Sequence, residues 1–235
     1  MSSRTANGAL NWDEIRLVAF DVDGTLYDQR GLRLRMLREM LLAAIRSRDI
    51  GFIRVLSAYR RVREELGDAL HEDFERELAS RTAAVVGCSE ERVRATAAEW
   101  LEQRPLRHLV RYRYPRLSEL FRGLRKQGKK IGIFSDYPAH GKLAAMELYA
   151  DVIVCATDAD VAVLKPHPRG LHVLMSRAAT TSAETILIGD RVERDGLAAR
   201  AAQVRSLIRS ARPIDGWDTF RRYDDPLFAT AGLLE

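Results

Sequence analysis

Hydrophobic residues follow two different periods along this chain. Residues 15–20, IRLVAF, form a short apolar run rich in β-forming residues, which predicts a buried strand. From about residue 31 to residue 103 the apolar side chains recur at helical spacing and predict about four helices. After a basic connector, RPLRHLVRYRYP, helical segments alternate with further predicted strands in KIGIFS, DVIVCA, TILIG and VRSLI.

This order of elements predicts an α/β fold. Strands that alternate with helices form βαβ units, and such units build a parallel sheet with helices on both faces. The helical block interrupts this pattern just after the first strand. We therefore expect a doubly wound, Rossmann-like core of residues 1–28 and 108–235, with an inserted α-helical cap domain of residues 29–107. The segment after about residue 210 has little pattern, and we expect it to pack on the core.

Composition excludes several classes of protein. No stretch of the 235 residues approaches the roughly 18 apolar residues of a membrane span, and the first residues lack the apolar core of a signal peptide. We therefore expect a cytoplasmic protein with no membrane partner. Cys88 and Cys155 lie far apart and away from ligand-like spacings, so we expect two buried thiols rather than a disulfide or a zinc site.

The net charge of +5 comes largely from arginine on segments that also read as amphipathic helices. Solvated helix faces explain this pattern, and an anionic substrate or surface is the alternative. The basic residues are spread over several helices without interleaved aromatic residues, so we expect no nucleic-acid partner.

Polar and charged residues follow each predicted strand. Ligands bind outside the carboxyl ends of the strands in open parallel sheets, so these residues would converge at one edge. They are Asp21, Asp23, Gly24 and Thr25 after the first strand, Ser135 and Asp136 after the second, Lys165 after the third, and Asp190 and Asp195 after the fourth. Crowded carboxylates repel unless a cation is bound. Hard oxygen ligands without His or Cys favour Mg²⁺ over zinc.

Four segments resemble the motifs of the haloacid dehalogenase superfamily. DVDGTLY, FSDYP, LKPHP and GDRVERD occur in the family's order, each after a predicted strand. The resemblance covers about residues 15–27 and 112–210, and the helical block lies where the family carries a helical cap. The fourth motif departs from the pattern, because Arg191 stands where a small residue is common and Arg194 where Asn is common. This departure leaves the outer contacts of the metal open.

The resemblance implies covalent phosphoryl transfer. Asp21 would attack phosphorus and form an aspartyl phosphate, which water then hydrolyses. Asp23 would protonate the leaving alcohol and later deprotonate the water. Lys165 would pair with both the nucleophile and the phosphate.

The resemblance also implies the ligands of the phosphate and the metal. Thr25, Ser135 and the backbone N–H groups around Asp136 would hold the phosphoryl oxygens, together with Lys165. The carboxylates of Asp21 and Asp190 and the backbone carbonyl of Asp23 would hold Mg²⁺, with Asp195 orienting the metal site. His167 is left outside the site.

The function expected from the sequence is a Mg²⁺-dependent phosphatase that hydrolyses a small, soluble phosphomonoester. Dehalogenases of this family lack the second acid of the first motif, and Asp23 is present here. A mutase-type phosphotransferase that acts on sugar phosphates would use the same residues and differ by a cap that excludes water. A non-catalytic binding or regulatory protein on the same fold would be marked by loss of Asp21, Asp23, Lys165 or Asp190, and all four are present. A nicotinamide-dependent enzyme is disfavoured, since no G-x-G-x-x-G follows the first strand.

The cap carries no motif that identifies a substrate. We expect one or two arginines in FIRVLSAYRR, with Arg54, Arg60 and Arg61 as candidates, to contact the non-reacting part of the substrate. Such a substrate would carry a second anionic or hydroxyl-rich group. The oligomeric state is not indicated.

Overall fold

The computed structural model describes residues 10–229 and 231–234. Its centre is a six-stranded sheet in the order β3-β2-β1-β4-β5-β6, in which every neighbouring pair is parallel. The strands are β1 Leu17–Phe20, β2 Lys130–Ser135, β3 Val152–Cys155, β4 Thr185–Gly189, β5 Arg205–Arg209 and β6 Thr219–Phe220. The strand order reverses at β1, which pairs with both β2 and β4. The predicted doubly wound α/β fold is therefore confirmed.

Both faces of the sheet are covered. Val18 and Phe20 of β1 belong to one apolar cluster, whereas Leu17 and Ala19 belong to the cluster on the opposite face. All four residues are buried, because alternate side chains of a strand point to opposite faces and each face meets helices. This burial explains why the first strand reads as a continuous apolar run.

Six α-helices lie between β1 and β2, and the first five of them precede the segment around Tyr114. These five are α1 Gln29–Ser47, α2 Gly51–Asp68, α3 Phe74–Val86, α4 Glu90–Ala97 and α5 Arg104–Tyr112, with a π-helical turn at Ala98–Gln103 before α5. The sequence predicts about four helices and treats the last segment as a connector, and that interpretation is wrong. Pro105 is compatible with the first turn of a helix, and α5 buries only Pro105 and Leu109, so its apolar signal is weak. The predicted boundary between residues 107 and 108 falls inside α5.

The remaining helices pack against the sheet: α6 Leu117–Lys126, α7 His140–Ala145, α8 Arg169–Ala178, α9 Leu197–Ala201 and α10 Pro226–Ala229. The segment after β5 contributes Phe220, Tyr223 and Phe228 to the apolar cluster on one face of the sheet. The Tyr223 hydroxyl also donates to the carbonyl oxygen of Thr25 at 2.9 Å. This segment therefore supports the loop that follows β1.

None of the described helices is long and apolar enough to cross a membrane. Both cysteines are free; Cys155 is buried as expected, whereas Cys88 is only partly buried.

Candidate active site

The carboxylate of Asp21 lies at the end of β1 and is almost fully buried. Lys165 Nζ lies 2.5 Å from Asp21 Oδ1, and the Thr25 hydroxyl donates to Asp21 Oδ2 at 3.0 Å. Burial raises the pKa of Asp21, Lys165 opposes the rise, and the neighbouring carboxylates Asp195 and Asp190 add to it, so that the pKa lies well above its usual range. The three sequence-predicted residues Asp21, Thr25 and Lys165 thus meet at one point.

Lys165 is held on several sides. Its ammonium also lies 2.7 Å from Asp195 Oδ1 and 3.2 Å from the carbonyl oxygen of Phe134. Burial alone would lower the pKa of Lys165, but Asp195 and Asp21 outweigh burial and raise the pKa well above its usual value. Its backbone N–H donates to Asp136 Oδ1 at 3.0 Å. The side chain of Asp136 therefore positions the loop that carries Lys165.

Asp21, Asp190 and Asp195 form the acidic cluster that the sequence predicts. One carboxylate oxygen from each lies within 4.8 Å of the others. Asp195 Oδ2 accepts from the backbone N–H groups of Asp190 at 3.1 Å and Arg191 at 3.0 Å, so Asp195 orients this loop. Burial and the nearby Asp195 raise the pKa of Asp190 to about 7.

The donor set fits a hard divalent cation. Asp190 Oδ1 is buried and has no hydrogen-bond partner within residues 10–229 and 231–234. Gly24 has a positive φ of +95°, and a Cβ there would lie 2.2 Å from Asp190 Oδ2. The backbone thus approaches the carboxylate closely, and one buried oxygen remains available. Oxygen donors of this kind suit Mg²⁺.

The Asp23 side chain is held apart from this cluster. Lys142 Nζ lies 2.6 Å from Asp23 Oδ1 and 2.7 Å from Oδ2, and the Tyr27 hydroxyl donates to Oδ1 as well. Burial alone would raise the pKa of Asp23, but Lys142 and the hydrogen bond from Tyr27 outweigh it and lower the pKa. The two aspartates of DVD therefore face different cations, Lys165 for Asp21 and Lys142 for Asp23.

Sequence reasoning missed Lys142 and Tyr27. Lys142 is buried on the short helix α7, and only its place directly after the second motif could have drawn attention to it. Tyr27 ends the first motif, but a tyrosine there also reads as an ordinary core residue.

Ser135 and His167 have local partners. The buried Ser135 hydroxyl accepts from the backbone N–H of Tyr137 at 3.2 Å, at the edge of the sheet where Asp21 lies. His167 Nδ1 accepts from the backbone N–H of Arg169 at 3.1 Å.

The two arginines that depart from the fourth motif attach the cap to the core. Arg194 is buried and donates to Glu64 Oε2 at 2.6 Å, to Asp68 Oδ1 at 2.7 Å, and to the carbonyl oxygen of Lys165 at 2.8 Å. Arg191 forms a second ion pair with Glu64 at 3.2 Å. Since Glu64 and Asp68 lie on α2, the departures from the family pattern are explained by contacts with the cap.

An arginine of the cap also reaches the core, beside Ser135. Arg63 of α2 is buried, donates to the carbonyl oxygen of Asp136, and lies over the Tyr137 ring at 4.0 Å from its centroid. The cap thus contacts both the second and the fourth motif.

A cavity of about 80 Å³ separates Asp23 from the cap. Its polar walls include Asp23, Gln29, Arg33, Arg60, Tyr137 and Lys142, and its apolar walls include Leu32, Met36, Trp100 and Leu101. We call it the cap pocket.

Arg33 on α1 and Arg60 on α2 form no ion pair with any described residue. Burial and the neighbouring charge of Arg33 lower the pKa of Arg60. Of the three arginines proposed from the sequence, Arg54 and Arg61 do not line the pocket, and Arg61 lies 3.8 Å from Glu65.

Comparison with known proteins identifies the family. The family model of haloacid dehalogenase-like hydrolases matches residues 15–203. The pyrophosphatase PpaX of Bacillus mycoides is 26% identical over 189 residues, covering 75% of this chain and 75% of that protein. Phosphoglycolate phosphatase 1 of Pseudomonas aeruginosa is 28% identical over 193 residues, covering 81% of this chain and 67% of that protein.

A solved structure shares the fold. The putative HAD-hydrolase YfnB from Bacillus subtilis, determined with bound magnesium, superposes with a TM-score of 0.63 at 16% sequence identity. The match covers 92% of this chain and 98% of that one. The family match, the parallel sheet and the four motifs at its edge agree. This chain therefore belongs to the haloacid dehalogenase-like hydrolases.

Proposed function

We propose that the protein is a Mg²⁺-dependent phosphatase that hydrolyses a small phosphomonoester through an aspartyl phosphate on Asp21. One observation carries the proposal: Asp21 and Asp23, two residues apart, are held by different lysines, at 2.5 Å and 2.6 Å. One carboxylate is thereby available for attack, and the other is directed at the leaving group. The phosphatase relatives support this assignment.

Asp21 would act as the nucleophile. The Thr25 hydroxyl and Lys165 orient its two oxygens, and Lys165 offsets the negative charge that gathers as a phosphate ester approaches. The Ser135 hydroxyl and backbone N–H groups around Asp136 are proposed to bind the phosphoryl oxygens.

The carboxylates of Asp21 and Asp190 and the backbone carbonyl of Asp23 would hold Mg²⁺, with Asp195 orienting the loop. When bound, the ion supplies positive charge that offsets the repulsion between the carboxylate and the phosphate. The bound magnesium of YfnB supports this proposal.

Asp23 would donate a proton to the leaving oxygen and later accept a proton from the attacking water. Because Asp23 lines the cap pocket, the leaving group is expected to occupy this pocket. One water needs roughly 10–15 Å³ of such volume, so a pocket of about 80 Å³ accommodates a leaving group of a few heavy atoms. This size disfavours the mutase alternative, whose sugar is larger.

Arg33 and Arg60 favour a leaving group that carries its own negative charge. Two guanidinium groups without an acidic partner in the described chain suit a carboxylate or a second phosphoryl group. The names of two relatives refer to pyrophosphate and phosphoglycolate, and each of these compounds has such a group. The cytoplasmic location, the lack of a nucleic-acid partner and the division into a core and a cap of residues 29–107 stay predictions.

The experiment is a phosphate-release assay with pyrophosphate, phosphoglycolate, ethyl phosphate and glucose 6-phosphate. We expect turnover of the two doubly anionic compounds to be fastest, to stop with excess EDTA, and to return with Mg²⁺. Undiminished turnover in EDTA would contradict the metal, and isomerisation of a sugar phosphate without phosphate release would favour the mutase.

Arg60→Gln tests the leaving-group pocket, with Arg61→Gln as the matched control on the same helix. We expect Arg60→Gln to raise KM about tenfold for phosphoglycolate while leaving ethyl phosphate unchanged, since a hydrogen bond to a charged group is lost only with the former. Equal effects of the two variants would contradict a specific role for Arg60.

A further inference from the structure

A second and larger cleft opens beside the acidic cluster, at the junction of cap and core. It has a volume of about 770 Å³. We call it the hinge cleft, because it lies between the start of α1, the segment around Tyr114 and the segment after β5. The first two are the places where the chain enters and leaves the cap, and an isolated β-bridge joins Tyr27 to Arg113 there.

Arginine dominates the walls of the hinge cleft. Two come from the cap side and four from the core: Arg30, Arg33, Arg209, Arg212, Arg221 and Arg222. Two carboxylates, Asp28 and Asp190, also line it, and neither forms an ion pair with these arginines in the described structure. Arg222 pairs with Asp224 at 2.8 Å; the other five have no ion pair with any residue that the structure describes.

Arg209 is held in place without a polar partner. Its guanidinium lies 3.6 Å from the centroid of the Tyr114 ring, and its buried Nε has no hydrogen-bond partner in the described chain. Stacking on an aromatic ring orients a guanidinium and leaves its donors free for an anion. The positive charge of the hinge cleft is therefore only partly neutralised by the acidic residues Asp28, Asp190 and Asp224.

We propose that the hinge cleft binds a small molecule that carries several phosphate groups and that is distinct from the substrate. Guanidinium groups bind phosphate oxygens through paired hydrogen bonds, and a ligand with several phosphates can engage groups from several directions. The cap pocket is the place for the leaving group, because Asp23 lines it and does not line the hinge cleft; Gln29 and Arg33 lie between the two cavities and line both. At about 80 Å³ against about 770 Å³, the cap pocket is also too small for such a ligand.

The ligand would bridge the two parts of the chain. Arg30 and Arg33 belong to α1, whereas Arg209, Arg212 and Arg221 belong to β5 and the segment that follows it. Since the linkers lie between these groups, a bound polyanion restrains the movement of α1 relative to the sheet. The family match ends at residue 203, so the arginines from the core side lie outside it.

Binding of myo-inositol hexakisphosphate, measured by isothermal titration calorimetry in metal-free buffer, tests the site. We compare the wild type with Arg212→Gln/Arg221→Gln, and we use Arg46→Gln/Arg54→Gln as a control that removes the same charge from exposed positions outside both cavities. We expect the cleft variant to weaken binding by about tenfold or more, and the control by less than about twofold. Equal weakening in both variants, or no measurable binding by the wild type, overturns the proposal.

Two further measurements locate the ligand. Arg60→Gln, which alters only the cap pocket, should bind the hexakisphosphate as the wild type does; a comparable loss there would place the ligand in the cap pocket and overturn the proposal. Hydrogen–deuterium exchange of residues 26–32 and 112–116 should slow when the probe binds the wild type, but not the Arg212→Gln/Arg221→Gln variant. Unchanged exchange in the wild type, despite binding, would contradict the bridging of α1 and the sheet.

Discussion

The two sides of the candidate active site are built differently. At the edge of the sheet, Asp21, Lys165 and Asp195 are buried and in mutual contact. On the cap side, Arg33 and Arg60 line the cap pocket and form no ion pair with described residues. The side chains at the sheet edge are thus held in place before any ligand binds. The cap arginines, in contrast, carry positive charge that no described acidic residue neutralises. Under the proposed function, the first region would hold the transferred phosphoryl group and the second would bind the leaving group.

The ion pairs that join the cap to the core are buried on one side and exposed on the other. Arg194 is buried, but its acidic partners Glu64 and Asp68 on α2 are 54% and 76% exposed. Ion pairs with such exposed partners contribute little to stability. The attachment of the cap to the core therefore depends less on these ion pairs than on buried contacts, such as those of Leu66 and Phe74 on the cap with Leu164 on the core.

Loss of the nucleophile is expected to have the largest effect, because it removes the reacting group from the buried sheet edge. Asp21→Asn keeps the size of the side chain but removes the attacking carboxylate, so kcat should fall by at least about 10⁴-fold. Intact-protein mass spectrometry after rapid quenching should find no added phosphoryl group. A labelled and active Asp21→Asn protein would show that the nucleophile is another residue.

Loss of the proton-transfer group comes next and tests whether the two aspartates differ. Asp23→Asn should lower kcat by about 10²–10⁴-fold for an alkyl ester. With an aryl phosphate, whose phenolate leaves without a proton, phosphorylation of Asp21 should persist while hydrolysis of the phosphoenzyme slows. The same mass measurement should then detect a phosphoenzyme that accumulates. Absence of that species, with aryl and alkyl esters slowed equally, would contradict the role of Asp23.

Lys142 tests how the site keeps its second aspartate charged. Lys142→Met leaves burial of Asp23 unopposed by its main cation, so the pKa of Asp23 should rise. Because Asp23 must be ionised to deprotonate water, the acidic limb of the kcat profile should move to higher pH, and kcat at neutral pH should fall roughly tenfold. The control is Lys142→Arg, which should restore the wild-type limb. An unchanged pH profile in Lys142→Met would contradict this coupling.

The attachment of the cap should have the smallest effect on catalysis and a measurable effect on stability. Arg194→Met leaves the carbonyl oxygen of Lys165 without its donor, and should lower the free energy of unfolding by about 1–3 kcal/mol and Tm by several degrees. Glu64→Gln keeps that contact and loses only the ion pairs of a half-exposed carboxylate with Arg191 and Arg194, so its cost should stay below about 1 kcal/mol. Thermal unfolding of both variants checks the difference; equal losses would show that the bond to Lys165 is not the main contribution.

Several features follow from the sequence because they depend on local order. A buried parallel strand must be apolar throughout, so β1 is visible as a continuous run, and the groups after the strands must meet because parallel strands end at one edge. Asp21, Lys165, Asp190 and Asp195 were therefore predictable as a cluster. The helix α5 was not, since it buries few apolar side chains.

Other features depend on which surfaces meet in space. Lys142 becomes the partner of Asp23 only because α7 returns over the end of β1, and no spacing in the sequence encodes that distance. Arg191 and Arg194 could be seen as departures from a motif, but their contacts with Glu64 lie 127 and 130 positions away. Local periodicity thus determined strands β1 to β5, the helical insertion after β1 and the order of the candidate catalytic groups, but not the short strand β6. The tertiary structure decided which cation each carboxylate faces and which arginines have no acidic partner among the described residues. Pairing of side chains depends on distance and burial, and these exist only in the folded chain.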